Sequence, residues 1–249
     1  MRPTTKRLAR IAGLGVAGLA IAGALWFLLG DPESRGPLLH GKPVTYWTQR
    51  TAQRDPAAIS VLAGDKAVAI PALVRQLSLR DSRVKDAAKG LWRRLPPMLR
   101  AGVPEPTTPW ELRREAAFAL VMIYQNDFAQ TAAPTLSEAR LILPALTRAL
   151  QDTDGVRLNA SVVLGHLGVI SAQAIEACEA ARRDTHWLVR AHAVDSLGRL
   201  AKSDERAIPH LKAALSDSHT SVRRRATNAL ERLGITPPQD DASSATEAK

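Results

Sequence analysis

One pattern of apolar and small residues recurs at a fixed spacing in the second half of the chain. Val156, Val189 and Val222 stand 33 residues apart, and each is followed directly by an arginine. An alanine follows each valine by four positions, and leucines follow it by eight and eleven positions. These positions share one face of an α-helix, because the helix repeats every 3.6 residues. Self-similarity at this period is the sequence signature of a repeat architecture.

A shorter apolar helix pattern precedes each of these helices, separated from it by a polar turn that contains an aspartate. Examples are Leu143–Leu146 before Asp152 and Ile208–Leu215 before Asp217. Each repeat is therefore predicted to be a pair of antiparallel helices. A single pair cannot bury its apolar face, so neighbouring pairs must stack. The sequence predicts an all-α fold, an α-solenoid of stacked helix pairs over residues 58–236.

The first repeat is less regular than the last three. Ile70–Leu73 predicts its first helix, and Val84, Ala88, Leu91 and Leu95 fall at helical spacing and predict its second helix. A degenerate second half follows at Leu112–Ile123. Between them, five prolines in residues 96–109 predict an irregular insertion that interrupts the stack.

These residues resemble HEAT repeats, in particular the short HEAT-like kind found in phycobilisome bilin lyases and in many bacterial scaffold proteins. The hallmark of that kind is an aspartate, a short turn, Val-Arg and then an alanine. Asp184 with Val189 and Asp217 with Val222 match it well. The resemblance implies a superhelix of the HEAT or armadillo type, in which the second helices line a concave face. The sequence also resembles membrane-anchored bacterial proteins with such repeats.

The arginine after each core valine has a structural interpretation. Arg157, Arg190 and Arg223 each lie about 100° around the helix from the buried valine, at the border of the apolar face. We expect each to pair with the turn aspartate of its own or the next repeat. Such pairs would fix the register between repeats and are not expected to bind a ligand.

A different set of positions is the candidate binding surface. The residues three, six and ten positions after each core valine point away from the buried face, and they become more basic towards the C-terminus. With Val162 set aside as apolar, the candidates for binding a protein partner are Asn159, His166, His192, Asp195, Arg199, Arg225, Asn228 and Arg232. The alternative interpretation is an ordinary solvated helix face.

The N-terminal part predicts a membrane anchor. Ile11–Gly30 contains no charged side chain, and this segment is long enough to cross a bilayer as one helix. Residues 1–10 contain four basic side chains, which predicts a cytoplasmic N-terminus and a repeat domain on the other, periplasmic side of the inner membrane. The alternative is a signal peptide cleaved near Ala22–Ala24, which would give a secreted protein.

The segments beside the repeats are predicted from their composition. Residues 31–57 are polar and contain four prolines, which predicts a linker. Tyr46 and Trp47 within it could cover the open end of the first repeat, since terminal repeats need a cap. Residues 237–249 have few apolar side chains and predict a disordered tail.

The sequence offers little that is typical of catalysis. It contains no phosphate-binding loop, no dinucleotide-binding glycine pattern and no metalloprotease motif, and no cofactor or metal is predicted. The only cysteine, Cys178, is interpreted as a small packing residue. Asp184, His186 and His192 are the nearest approach to a metal-ligand set, but the set is incomplete.

The predicted function is therefore a membrane-anchored scaffold that binds a protein partner outside the cytoplasm, and not an enzyme. Two alternatives remain open. The resemblance to bilin lyases allows a related enzyme or accessory factor. The net charge of +10 allows a basic concave surface that binds nucleic acid, although a nucleic-acid partner is not expected outside the cytoplasm.

Overall fold

A computed structural model describes residues 36–100, 105–125 and 133–237 of the chain. The predicted cytoplasmic N-terminus at 1–10, the predicted anchor Ile11–Gly30 and all but the first residue of the predicted tail 237–249 lie outside these ranges. The first described residues form a small hairpin, in which β1 Leu38–Leu39 pairs antiparallel with β2 Lys42–Pro43. Its turn places Gly41 at a φ of 72°, a left-handed conformation that glycine adopts without strain.

Helices make up most of the remaining described residues. In chain order they are α1 Val44–Ala52, α2 Pro56–Gly64, α3 Lys66–Leu77, α4 Arg83–Arg94, α5 Pro97–Arg100, α6 Pro109–Gln125, α7 Leu136–Ala149, α8 Asp154–Leu164, α9 Ser171–Arg182, α10 Trp187–Leu200, α11 Ile208–Ala214 and α12 Thr220–Arg232. Two short 3₁₀ turns, Gly168–Ile170 and Glu205–Ala207, lead into α9 and α11. The helix pairs are therefore those that the 33-residue spacing predicts.

Local signals in the sequence set several of the helix ends. Thr135 and Glu138 form a reciprocal capping box at the start of α7. At the other end of the array, Gly234 has a φ of 73° and closes α12 with two backbone hydrogen bonds, from Gly234 to Glu231 and from Ile235 to Leu230. Gly168 does not close a helix in this way, because α8 already ends at Leu164 and Gly168 begins a 3₁₀ turn.

The helices form two layers. The second helices of the repeats, α6, α8, α10 and α12, pack directly on one another in that order, whereas α7, α9 and α11 make their main contacts with the second helices. The core valines Val156, Val189 and Val222 are completely buried in this arrangement. The second helices therefore form one continuous packed layer from α6 to α12.

The first repeat is built differently from its prediction. The second helix that packs on α3 is α6, not α4. Leu112 and Leu120 of α6 are fully buried, while Val84 and Leu91 of α4 are 69% and 62% exposed. The assignment of α4 as a buried second helix is therefore wrong, because α6 already occupies that place. The interruption of the stack runs from the end of α3 to the start of α6, beyond the predicted 96–109.

A ladder of ion pairs joins the turns of successive repeats, as the sequence analysis expects. Arg157 pairs with Asp184 of the next repeat at 3.0 Å, and Arg190 pairs with Asp217 of the next repeat at 2.8 Å. Each of these arginines also donates to a backbone carbonyl in the turn of its own repeat. The structure adds an earlier rung, in which Arg113 of α6 pairs with Asp152.

In the last repeat, Arg223 donates to the Asp217 and Ser218 carbonyls at 2.8 and 3.1 Å. The predicted pairing with a turn aspartate is confirmed for Arg157 and Arg190, whereas Arg223 contacts the turn of its own repeat only through backbone carbonyls and the Thr220 hydroxyl.

Small residues allow the second helices to come close together. A Cβ added at Gly165 of the α8 end would lie 2.8 Å from the Cα of Ser196 in α10. A Cβ added at Gly198 of α10 would lie 2.9 Å from the Cβ of Ala229 in α12. Ser196 uses this proximity to donate a hydrogen bond of 2.6 Å to the Ser161 carbonyl. The spacing between second helices is therefore fixed by glycines that the sequence pattern alone did not single out.

The segment predicted as a polar linker contains defined structure from residue 36 onwards. Helix α1 packs against α6 on the side away from α8, and so covers the start of the second-helix layer. Trp47 lies inside this contact and donates from Nε1 to the Leu39 carbonyl at 2.8 Å. Tyr46 is 36% exposed and stacks edge-on against Trp47.

No single helix among the described residues is long and apolar enough to cross a bilayer. Two neighbouring helix pairs, α2 with α3 and α8 with the segment Gly168–Arg182, reach that apolar length only when joined across bends of 106° and 83°.

Candidate functional site

The predicted binding residues lie on the outward side of α8, α10 and α12. We define the second-helix face as the residues three, six and ten positions after each core position in these helices. Its members are Asn159, Val162, His166, His192, Asp195, Arg199, Arg225, Asn228 and Arg232. Val162 is 5% exposed and belongs to the core, whereas Arg199, Asn228 and Arg232 are exposed. The face is therefore most accessible towards the C-terminal end.

An open depression of about 550 Å³ lies at that end, between α10 and α12. It is lined by Asp195, Arg225, Asn228, Glu231 and Arg232. Across it, the Arg225 guanidinium forms an ion pair with the Asp195 carboxylate, and both side chains are partly buried. The structure thus brings four of the predicted residues together and shows that two of them neutralise each other.

Two arginines on this face keep their charges free. Arg199 makes no hydrogen bond or ion pair with any described residue, and Arg232 donates only to the Asn228 carbonyl of its own helix, at 3.1 Å. A guanidinium offers several N–H donors in one plane and suits a carboxylate partner. Arg199 and Arg232 are therefore the residues of the face best placed to contact an acidic group from outside.

The centre of the face is neutral. Partial burial and the nearby Arg199 charge lower the pKa of His166 to about 4, so its imidazole is uncharged at neutral pH. Burial and then Arg225 lower the pKa of His192 as well, although Asp195 opposes the shift. The ring of Tyr124 stacks near His166, with 6.4 Å between the ring centroids. His166 and His192 are therefore polar neighbours of the charged depression and not part of its positive charge.

Residues that the sequence analysis missed extend the face towards the N-terminus. In α6, Leu112 occupies the core position of Val156, so Phe118 and Met122 stand at the six- and ten-position places of the face. Both are half-buried. Position counting from Leu112 finds them, but only after α6 is known to be the second helix of the first repeat. The α6 part of the extended face therefore combines Phe118 and Met122 with Glu115 at the three-position place, whereas the α12 part carries two arginines.

The histidines near the turns are engaged by the protein itself. In the turn before α10, the Asp184 carboxylate accepts from the His186 backbone N–H and pairs with Arg157, while His186 Nδ1 accepts from the Leu188 N–H. Among the residues that the structure describes, no three histidine, cysteine, aspartate or glutamate side chains gather as metal ligands. His192 lies within α10, near the charges of Arg225 and Asp195, and not in this turn.

An aromatic stack connects the last two turns. The Trp187 ring lies 4.1 Å from the His219 ring with 4° between their planes, and His219 caps α12 by accepting from the Ser221 N–H. Sequence reasoning did not predict this stack, because His219 and Trp187 are 32 residues apart and meet only through the repeat. Trp187 is 37% exposed, so the stack helps to hold the turns together at the edge of the array.

Cys178 does not provide a nucleophile. Its side chain is completely buried in α9, and burial raises the pKa of the thiol. A thiol in these surroundings stays protonated and inert. Its interpretation as a packing residue agrees with its position in the core.

A second depression of about 420 Å³ opens where the chain leaves α3. Its main charged groups already pair with one another, since Arg113 contacts both Asp81 and Asp152. Arg113 also donates to the Leu79 carbonyl at 3.0 Å. The charge of Arg113 is therefore engaged, while Arg80 and Arg148 also line the depression, and Arg148 donates to the Ser78 hydroxyl at 2.9 Å.

Comparison with known proteins agrees with the helix pairs. The family model of HEAT repeats matches residues 143–231, which span the helices from α7 to α12. Crystal structures of two engineered proteins are also similar. One has 20% identity over 78% of this chain and 58% of its own length, and the other has 19% identity over 79% and 99%. The chain thus spans little more than half of the first.

Both structures have a TM-score of 0.37, so the fold assignment depends on the family model and on the observed helix contacts. No curated protein matches the chain. The residues that match the family model contain the Val156, Val189 and Val222 helices and the last two rungs of the arginine ladder. Residues 143–231 therefore resemble HEAT repeats, and this match covers the last three helix pairs of the chain.

Proposed function

We propose that this protein is a membrane-anchored scaffold that holds a protein partner outside the cytoplasm on its second-helix face. HEAT repeats are in general scaffolds for protein–protein interaction. The anchor would be the uncharged segment Ile11–Gly30, with the basic residues before it kept in the cytoplasm. A reporter enzyme that is active only in the periplasm, fused after Lys249, tests this orientation, and an inactive fusion would contradict it.

The free charges of Arg199 and Arg232 beside the open depression are the observation that carries the binding proposal. Their guanidinium groups need a partner that supplies carboxylates. At the other end of the face, Phe118 and Met122 offer half-buried apolar contacts. A polypeptide segment with acidic side chains at one end and an apolar side chain at the other fits this arrangement. Such contacts act together, since a few well-placed arginine and aromatic residues dominate most interfaces.

The two alternatives have less support from the same residues. A nucleic-acid backbone needs several free cations in a row, but Arg225 is already paired with Asp195 and Glu231 adds a negative charge to the depression. A bilin-lyase-like enzyme needs a reactive group, and Cys178 is buried and protonated. Cys178 therefore does not support the enzyme alternative.

The experiment is purification of the full-length protein from detergent-solubilised membranes, followed by mass spectrometry of the proteins that accompany it. We expect the double variant Arg199→Glu/Arg232→Glu to lose a partner that the parent retains, because reversal places like charges against its carboxylates. The affinity should fall by about tenfold or more, since like-charge contacts across an interface are costly.

A matched control is Arg183→Glu. Arg183 is exposed and lies directly after α9, outside the second-helix face. It should retain the partner. Loss of the partner with both variants, or retention with both, would contradict the assignment of the face. Far-ultraviolet circular dichroism of each variant checks that the repeats stay folded.

A further inference from the structure

The insertion helix α4 is oriented in the opposite way to an ordinary amphipathic helix of a soluble domain. Such a helix buries its apolar stripe and exposes its charges. In α4 the one buried side chain is a lysine, Lys89, which is only 8% exposed. Val84 and Leu91, two helical turns apart, are 69% and 62% exposed. The helix therefore presents its apolar side to the outside.

Ionic contacts hold α4 in this orientation. Lys89 Nζ lies 2.5 Å from Glu111 and 3.2 Å from Glu105. The Glu111 carboxylate also accepts from the backbone N–H and the hydroxyl of Thr108. Burial raises the pKa of Glu111, but the hydrogen bonds from Lys89 and Thr108 outweigh it, so the pKa is lowered and the carboxylate stays charged. The polar side of α4 is thus fixed to the start of α6.

The exposed apolar stripe is continuous along the insertion. At about 100° per residue, Val84, Ala88 and Leu91 fall within one narrow arc of the helix, and Leu95 follows directly after its last residue. Met98 follows in α5 and is 81% exposed. Trp92 lies at the border of the arc, and the Arg100 guanidinium lies 5.6 Å from its ring centroid. A row of apolar side chains of this kind on a folded domain marks an interaction site.

Basic side chains flank the stripe. On the same helical projection, Arg83 and Arg94 fall on one side of the arc and Lys85 on the other. Arg83–Arg94 contains five basic residues and one acidic residue, Asp86. Arg83 and Arg94 are both exposed. A helix with an apolar face between positive flanks is typical of segments that lie in the surface of a bilayer.

We propose that α4 binds the surface of a bilayer that contains acidic lipids. Val84, Leu91 and Met98 enter the boundary between headgroups and acyl chains, and Arg83 and Arg94 contact the acidic headgroups. A lipid surface fits better than a second protein, because the positive charges lie on the margin of a one-sided stripe, where the headgroups of a flat membrane would meet them. The proposal concerns a different surface from the second-helix face and does not depend on the N-terminal anchor.

The test uses a spin label at Leu91 in the full-length protein. The variant Leu91→Cys is labelled, and Cys178 contributes no background because it is completely buried. The protein is reconstituted in vesicles of phosphatidylcholine, with or without phosphatidylglycerol. Collision of the label with oxygen, which concentrates in the acyl region, is compared with collision with a water-soluble nickel chelate. A label at the exposed Ala213→Cys, on α11, is the matched control.

We expect the Leu91 label to become accessible to oxygen and protected from nickel only in the vesicles with phosphatidylglycerol, while the Ala213 label stays in water. Neutralising both flanking charges with Arg83→Gln/Arg94→Gln should weaken partition of the Leu91 label about 30-fold. The readout is local to residue 91, so attachment of the chain at another segment does not reproduce it.

Three results would overturn the proposal. A Leu91 label that stays in water with both kinds of vesicle would show that α4 does not enter the bilayer. Equal entry into both kinds would show that acidic lipids are not recognised. Protection of the label before any vesicle is added would show that another part of the chain, or a second copy, covers the stripe. None of these results changes the expected partner loss with Arg199→Glu/Arg232→Glu, so the two proposals fail separately.

Discussion

Replacing Asp217 by alanine is expected to lower the free energy of unfolding by about 3 kcal/mol, because it leaves a nearly buried arginine without its partner. The side chains of Asp217 and Arg190 are 7% and 13% exposed, and two hydrogen bonds of 2.8 and 2.9 Å join them. Asp217 also accepts from the His219 N–H and so shapes the turn before α12. The substitution therefore breaks both the ladder between two repeats and the local turn.

Urea unfolding followed by circular dichroism measures this loss. Arg183, whose side chain is 74% exposed, provides the control, and Arg183→Ala should cost less than about 1 kcal/mol because its partner Glu179 still pairs with Arg182. The effect of Asp217→Ala also depends on pH. Hydrogen bonds from Arg190 and His219 outweigh the burial of Asp217 and lower its pKa below the ordinary 3.8. A carboxylate whose pKa is lowered by folding stabilises the folded state at pH values above its ordinary pKa. The destabilisation caused by Asp217→Ala should therefore become smaller as the pH falls below 3.8.

A double-mutant cycle then isolates the ladder contact. The loss in Asp217→Ala/Arg190→Ala should be clearly smaller than the sum of the two single losses, because each single substitution already breaks the same pair. Additive losses would contradict the ladder. So would a loss in Asp217→Ala as small as that of the exposed control.

Replacing Gly165 by alanine is expected to cost about 2 kcal/mol, because the added Cβ would meet the Cα and Cβ of Ser196, which cannot move aside without the backbone. It would lie 2.8 Å from the Cα and from the Cβ of Ser196, and 2.7 Å from its Oγ. Relief requires α8 and α10 to move apart, which also strains the hydrogen bond from Ser196 to the Ser161 carbonyl. Urea unfolding measures the loss.

Gly90→Ala is the matched control for this substitution. Gly90 lies in the interior of α4, and no atom lies within 4 Å of an added Cβ. There the better helix propensity of alanine should leave stability unchanged or raise it by up to about 1 kcal/mol. If Gly165→Ala were as stable as Gly90→Ala, the result would contradict the close approach of α8 and α10 at Gly165.

The regular part of the fold could be predicted because its causes are local and repeated. Val156, Val189 and Val222 mark the second helices at 33-residue spacing, and all three are buried. The arginine beside each valine could be assigned a structural role because the same offset between Arg and Asp recurs. A contact that recurs in successive repeats can be predicted from one sequence, since each copy of the pattern supports the interpretation of the others.

The place of α4 could not be predicted, because an apolar stripe at helical spacing has the same pattern whether protein covers it or not. Val84 and Leu91 satisfy the helical period as well as Leu112 and Leu120 do. Only the tertiary contacts show that α3 packs on α6 and leaves α4 outside. The segment after α3 therefore misled the count of repeats.

The candidate site was predictable in position but not in its pairings. Counting three, six and ten residues from each valine placed Asp195, Arg199, Arg225, Asn228 and Arg232 on one face. The ion pair between Asp195 and Arg225 depends on the register of α10 against α12, which is set by Gly198 and Ala229. The free charges therefore follow from inter-helix packing, and a pattern within one helix does not reveal them.

The proposed function requires that a protein partner lies against the second-helix face. The most direct measurement replaces Asn228, which lines the depression, with the photoreactive residue benzoylphenylalanine in the full-length protein and irradiates intact cells. If a partner binds this face, we expect it to crosslink from position 228 and not from the exposed control position Ala213 on α11. A partner that crosslinks from position 213 and not from position 228 would show that the partner does not bind the second-helix face.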